Sequence, residues 1–234
     1  MPQLVLIPGL ACDDRLWQDQ WPALPDNMRP AVSDAHMRFA TIEEMARAVL
    51  EAHDGPLILC AASMGGMIAM EAARQAPARI QGLALLGTNP RAETPDMRAL
   101  REAAIELFAR GDVLGVIKPN IMFAFHPKQA ADATLVDRYL CMMLDAGAGQ
   151  LINQNRALMQ RPDARGQLPG LRCPVLVMCG DTDRLTPPEC SREIAALVPA
   201  AELIWVPDCG HMLTMEKPAL VNETLAAWLT RFED

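Results

Sequence analysis

Short, nearly uninterrupted apolar runs alternate along this chain with longer segments whose apolar residues recur at helical spacing. Leu4–Ile7, Leu57–Cys60, Ile80–Leu86 and Pro174–Cys179 read as strands buried on both faces. Arg29–Ser33 reads as a weak second strand and Glu202–Val206 as the last one. Asp13 or Asp14 is placed to cap a short helix carrying Leu16, Trp17 and Trp21. Thr41 and Glu44 form a capping box that opens a helix to about His53, closed by Asp54-Gly55-Pro56. A helix follows Leu57–Cys60 and runs to about Gln75. Thr186-Pro187-Pro188-Glu189 reads as a second capping box, opening a helix with Ile194, Leu197 and Val198. The final helix starts near Pro218 and presents Val221, Leu225, Trp228, Leu229 and Phe232. Strands alternating with helices imply an α/β protein with a mostly parallel central sheet and right-handed crossovers.

The rhythm breaks between Arg91 and Arg165, where no strand pattern is found. Met97, Leu100, Ala104, Leu107 and Phe108 recur at helical spacing. Leu135, Tyr139, Met142 and Met143 do so next, then Leu151, Ile152, Leu158 and Met159. Three or four helices are therefore expected here as an insertion between two strands. Core packing accounts for most of these stripes, and a lid over a site for those facing the sheet's edge. The expected organisation is one domain, with residues 1–90 and 166–234 forming the core and 91–165 a helical lid.

Composition narrows the function classes. The 234 residues are 51% hydrophobic, enough for a large core. The net charge of −8 and the absence of a basic block argue against nucleic acid and anionic membrane surfaces as partners. No apolar run approaches the roughly 18–20 residues of a membrane span. The first apolar run lacks a basic leader and is too short for a signal peptide. Seven cysteines without a CxxC pair suggest a reduced, cytoplasmic protein. The four histidines and the cysteines lack ligand spacing, so no metal is expected.

The chemistry-bearing stretch is Leu57–Met70, LILCAASMGGMIAM. A strand that turns sharply into a helix through small-x-Ser-x-small presents Ser63 at the turn, with Ala61 and Gly65 as the small flanks. The competing reading is that Ser63 merely caps a buried helix. A serine hydroxyl needs a base within hydrogen-bond reach, and the base needs an orienting acid. Three polar residues directly follow strands: Ser63, Asp183 and His211. In an open parallel sheet, reactive groups gather at those strand ends.

These stretches resemble the α/β-hydrolase superfamily, in its small esterase and lipase-like form with a helical lid. Ala61-Ala62-Ser63-Met64-Gly65-Gly66 resembles the family's elbow, with Ala61 where glycine is usual. Gly180-Asp181-Thr182-Asp183 with Pro187, and Gly210-His211 with Glu216 and Pro218, resemble its G-x-x-D…P and G-H…E-x-P patterns. The resemblance implies Ser63 as nucleophile, His211 as general base and Asp183 as the acid. Asp181 competes for that last role but lies one residue past Gly180, where the family's acid lies three past it. Gly87-Thr88-Asn89 offers no carboxylate after the fourth strand, which favours Asp183. An oxyanion hole is implied from the backbone N–H groups of Leu10 and Met64, since Pro8 has none.

The implied activity is hydrolysis of a small-molecule ester by a carboxylesterase with an acyl-enzyme mechanism and no cofactor. The alternatives are a triad-dependent lyase or C–C hydrolase, as in the menaquinone-pathway synthase, and a ligand sensor of the same fold. Met122, Phe123, His126 and Met143 are candidates for the substrate pocket. His36 is a candidate for its rim, and His53 for the surface. Arg98, Arg101 and Lys118 are candidates to meet a substrate carboxylate, although a solvated helix face accounts for them more simply.

Overall fold

The computed structural model describes residues 1–233. Its sheet comprises β1 (Gln3–Ile7), β2 (Ala31–Val32), β3 (Leu57–Ala62), β4 (Ile80–Leu86), β5 (Val175–Gly180) and β6 (Ala201–Val206). The order is β2-β1-β3-β4-β5-β6, and every neighbouring pair is parallel. The second strand is shorter than Arg29–Ser33. Arg29 lies in the left-handed region and Pro30 has no amide hydrogen, so pairing is confined to Ala31 and Val32.

The helices are α1 (Ala35–Arg38), α2 (Ile42–Ala52), α3 (Met64–Gln75), α4 (Pro95–Ala109), α5 (Val113–Ala124), α6 (Ala133–Gln160), α7 (Pro188–Leu197), α8 (Leu213–Glu216) and α9 (Pro218–Leu229). Because strand side chains alternate between faces, the continuous apolar runs feed two cores. Leu4, Leu6, Ile58 and Cys60 join one with Trp17 and the α9 residues Val221, Leu225 and Trp228. Val5, Ile7, Leu57 and Leu59 join the other with Met45 and Val49 of α2 and Ile68 of α3. Each such aliphatic side chain, fully buried, contributes on the order of 1.5–3 kcal/mol.

The Thr41–Glu44 capping box forms with both of its hydrogen bonds at 3.2 Å. The one expected at Thr186 does not. Helix α7 starts at Pro188 with Pro187 as its N-cap and no side-chain cap, and the Thr186 hydroxyl turns instead to Asp183.

Between β4 and β5 lie α4, α5 and α6, and α6 breaks at Gly147 (φ 76°, ψ 164°). Tyr139, Met142 and Met143, before the break, pack in the core shared with Trp17, whereas Ala157 and Leu158, beyond it, pack in the opposite one. The α4 stripe is less buried than packing alone demands. Phe108 is buried, but Met97, Leu100 and Leu107 are exposed. No described helix is long and apolar enough to cross a membrane.

Candidate active site

Ser63 stands between the end of β3 and the start of α3, with φ 53° and ψ −117°. A non-glycine residue held there stores roughly 1–3 kcal/mol of strain, and the surroundings fix it on every side. Its N–H donates to Leu86 O at 2.9 Å, its carbonyl accepts from Gly66 N at 3.0 Å, and the Thr88 hydroxyl donates to the same carbonyl at 2.6 Å. Its side chain makes no capping bond, so the helix-cap reading fails. Gly65 has no alternative at its position, because a Cβ there would fall 2.2 Å from Ile7 O.

The Ser63 hydroxyl meets His211 instead. His211 Nε2 lies 2.9 Å from Ser63 Oγ, and Nδ1 lies 2.8 Å from Asp183 Oδ2. Asp183 is fixed in turn. Its Oδ1 accepts the N–H groups of Leu185 and Thr186, both at 2.9 Å, and its Oδ2 accepts the Thr186 hydroxyl at 2.8 Å. Burial opposes ionisation of Asp183, but the His211 charge and these hydrogen bonds outweigh it and hold the carboxyl below its usual range. For His211, burial disfavours the cation, yet the Asp183 carboxylate, with Glu216, carries the ring above the ordinary imidazole value. Only the neutral ring can accept the serine proton. For ester hydrolysis, kcat/KM should therefore climb with pH to a midpoint above about 6.5. A pH–rate profile checks this, and a midpoint below that value would contradict the electrostatics.

Asp181 is exposed and bridges the neighbouring loop, accepting Asp208 N at 3.1 Å and Cys209 N at 3.2 Å. It makes no bond to His211. Glu216 is buried and positions the histidine loop. Its carboxylate accepts Gly210 N at 3.0 Å, Met212 N at 3.1 Å and His126 N at 2.8 Å. Ala124 O, at the end of α5, accepts the His211 N–H at 2.8 Å.

Opposite the histidine, the loop after β1 approaches the serine. A Cβ on Gly9 would lie 3.2 Å from Ser63 Cβ, so the approach needs a residue without one. Met64 opens α3 and its N–H has no intrahelical acceptor. Neither it nor the Leu10 N–H is in a hydrogen bond among the described residues. Ala11 takes a positive φ of 55°. Its N–H donates to Gln154 Oε1 of α6 at 2.6 Å, and Gln154 Nε2 donates to His36 O at 3.0 Å. His36 is buried away from the cavity rim, and its Nε2 lies 2.7 Å from Cys12 O. Burial holds His36 below the ordinary imidazole value, against the pull of that carbonyl. Gln154 is thus a positioning residue for this loop. Gln154→Leu is expected to lower kcat about 10–100-fold with KM little changed, less than the 10²–10³ of deleting an oxyanion donor outright. Steady-state kinetics on the folded fraction decide it, and an unchanged kcat would leave Gln154 a packing role only.

A cavity of about 770 Å³ opens over Ser63 and His211 between the strand ends and α4–α6. Leu10, Met64, Phe123 and Met143 line it, whereas Met122 and His126 do not. Met122 points to solvent on α5. The His126 ring sits beside Gln129 at 3.1 Å, its backbone being tied to Glu216. Met97, Leu100, Ala104 and Phe108 of the α4 stripe face the cavity, which explains the incomplete burial of the first three. Cys12 also lines it, but burial and neighbouring Asp13 push its thiol up to about 12, so it offers no competing thiolate.

The sequence profile for the alpha/beta hydrolase fold matches residues 7–218. The chain belongs to the alpha/beta hydrolase family. Among relatives of this hydrolase is a pimeloyl-[acyl-carrier protein] methyl ester esterase of Aromatoleum aromaticum. It is 27% identical, with 93% of this chain and 94% of that protein aligned. The putative carbamate hydrolase RutD of Serratia proteamaculans is 24% identical over 100% of this chain and 92% of its own. A thermophilic esterase from Thermogutta terrifontis, in a malate-bound structure, matches all of this chain and 91% of its own. That match has a TM-score of 0.89 and 25% identity.

Beyond the candidate site residues, this alpha/beta hydrolase places Gln154 around the site, together with Thr88, Thr186 and Glu216, which the sequence marked only as a loop residue, a helix cap and part of the family pattern. Arg101 does not lie on a solvated face either. Its guanidinium is in the cavity wall with only 19% of the side chain exposed.

Proposed function

We propose that the protein is a serine ester hydrolase of carboxylesterase type, working through an acyl-enzyme. The observation that carries this reading is the hydrogen-bonded chain Ser63–His211–Asp183 at the floor of the cavity. Ser63 Oγ attacks the ester carbonyl as His211 Nε2 takes its proton, and Asp183 stabilises the imidazolium that forms. The developing oxyanion is held by the N–H groups of Leu10 and Met64. Collapse expels the alcohol, protonated by His211, and leaves the acyl group on Ser63. Water, deprotonated by the same imidazole, then releases the acid and restores the serine. The relatives named above as a methyl ester esterase and a putative carbamate hydrolase bear names for cleavage at ester and carbamate carbonyls, which supports the reading. A cavity of this size suits a drug-sized or smaller ester.

The test is turnover of p-nitrophenyl and methyl esters of graded acyl length, combined with fluorophosphonate labelling. Many cycles per molecule and a label on Ser63 are expected. At most one slow cycle would instead mark a ligand sensor, and a label on another residue would overturn the nucleophile.

A further inference from the structure

The cavity wall away from the serine carries an unbalanced charge. Its ionised lining side chains are Arg91, Arg101, Arg161 and Arg184 against Glu93 and Glu189, in a protein whose net charge is −8. Three of these are explained by partners or exposure. Arg91 pairs with Glu193 at 2.6 Å, Glu189 is exposed, and Arg184 stacks on the Phe123 ring at 4.5 Å with Nη1 on Met122 O. The remaining three form a compact group in which Glu93 and Arg161 have buried side chains and Arg101 is partly open to the cavity. Glu93, with 2% of its side chain exposed, accepts Arg161 Nη1 at 2.7 Å and Nη2 at 3.2 Å, and also accepts Arg101 Nε.

Two guanidinium groups here share one carboxylate. Arg161 is used up in holding the structure: its Nε donates to Arg91 O at 2.8 Å and its Nη1 also to Leu158 O at 3.1 Å. Arg101 is not. Its Nη1 donates to Asn155 Oδ1 at 2.9 Å, and its Nη2 has no acceptor among the described residues. A buried cation without its own counter-charge is costly, and breaking or omitting a pairing of this kind leaves an uncompensated charge. The planar fork of arginine matches a carboxylate, and one spare positive charge matches a monoanion.

We propose that Arg101, braced by Glu93, Arg161 and Asn155, is a carboxylate-binding subsite, and that the substrate is an ester carrying a free carboxylate, as in the half-ester of a dicarboxylic acid. Ser63 takes the ester end and Arg101 the anionic end, with the apolar α4 stripe along the chain between them. This rests on the ester-hydrolase reading and sharpens its substrate class.

The experiment compares kcat/KM for monomethyl adipate and for methyl hexanoate, an uncharged ester of the same acyl length. Wild type should favour the half-ester at least tenfold, chiefly through KM. Arg101→Met should bring the ratio toward one, and Arg101→Lys should recover part of it. A wild-type enzyme that cleaves the neutral ester as well as the half-ester overturns the subsite and leaves the ester-hydrolase reading standing. So does an unchanged ratio in Arg101→Met. If wild type cleaves neither, that reading fails and calorimetry decides the subsite alone. Monomethyl adipate binding to wild type that Arg101→Met loses upholds it, and absence of binding overturns it. The wild-type ratio needs no variant to fold.

Discussion

Replacing Ser63 with alanine is expected to lower kcat for ester hydrolysis about 10⁶-fold while leaving the fold intact. The hydroxyl's one side-chain partner is His211 Nε2, and the turn itself is held by backbone bonds through Leu86, Gly66 and Thr88. Truncation therefore removes the nucleophile and little else. The double variant Ser63→Ala/His211→Ala should be no worse than Ser63→Ala alone, because the two side chains act as one unit. Steady-state kinetics with thermal unfolding on each protein check both statements. Substantial turnover by Ser63→Ala would refute the mechanism.

Asp183→Asn should cost about 10⁴ in kcat. The reason is the orientation that the surrounding donors impose. Two N–H groups, from Leu185 and Thr186, demand an acceptor at the Oδ1 position, so the new amide nitrogen must occupy the other. That nitrogen then donates to His211 Nδ1 and forces the proton onto Nε2, where it blocks acceptance from Ser63. Asp181→Asn should leave kcat nearly unchanged, since among the described residues its carboxylate serves only Asp208 and Cys209. Parallel kinetics on the two variants separate them, and a reversal of their effects would move the acid to Asp181.

The strand framework and the placement of Ser63, Asp183 and His211 were legible because they obey local rules. Runs such as Leu57–Ala62 and Val175–Gly180 are apolar on both faces, and Ser63, Asp183 and His211 each stand just past a strand end. What escaped depends on helix phase or on distant partners. Met122 and Phe123 are neighbours on α5, so about 100° of rotation separates them and only Phe123 turns inward. Thr186 fits a capping box as well as it fits a bond to Asp183, and proline at the helix start let the second win. Gln154 lies 143 residues from the amide it holds, and no spacing rule reaches that far. The Glu93–Arg161 pair spans 68 residues and is hidden in the same way, so a solvated helix face was the simpler account of Arg101.

The break at Gly147 divides α6 into halves with different duties. The half before it carries Tyr139 and Met143 to the cavity, and the half beyond it adds Leu151 and Asn155 to that cavity while carrying Gln154 to the loop of Leu10 and Ala11. For protein engineering this sets the seam of an exchangeable cassette. Residues 95–146 can be traded against those of another hydrolase to change which acyl group is accepted. A graft that continues past Gly147 also removes the Gln154 brace of the loop after β1, so such a graft is expected to alter specificity at the expense of rate.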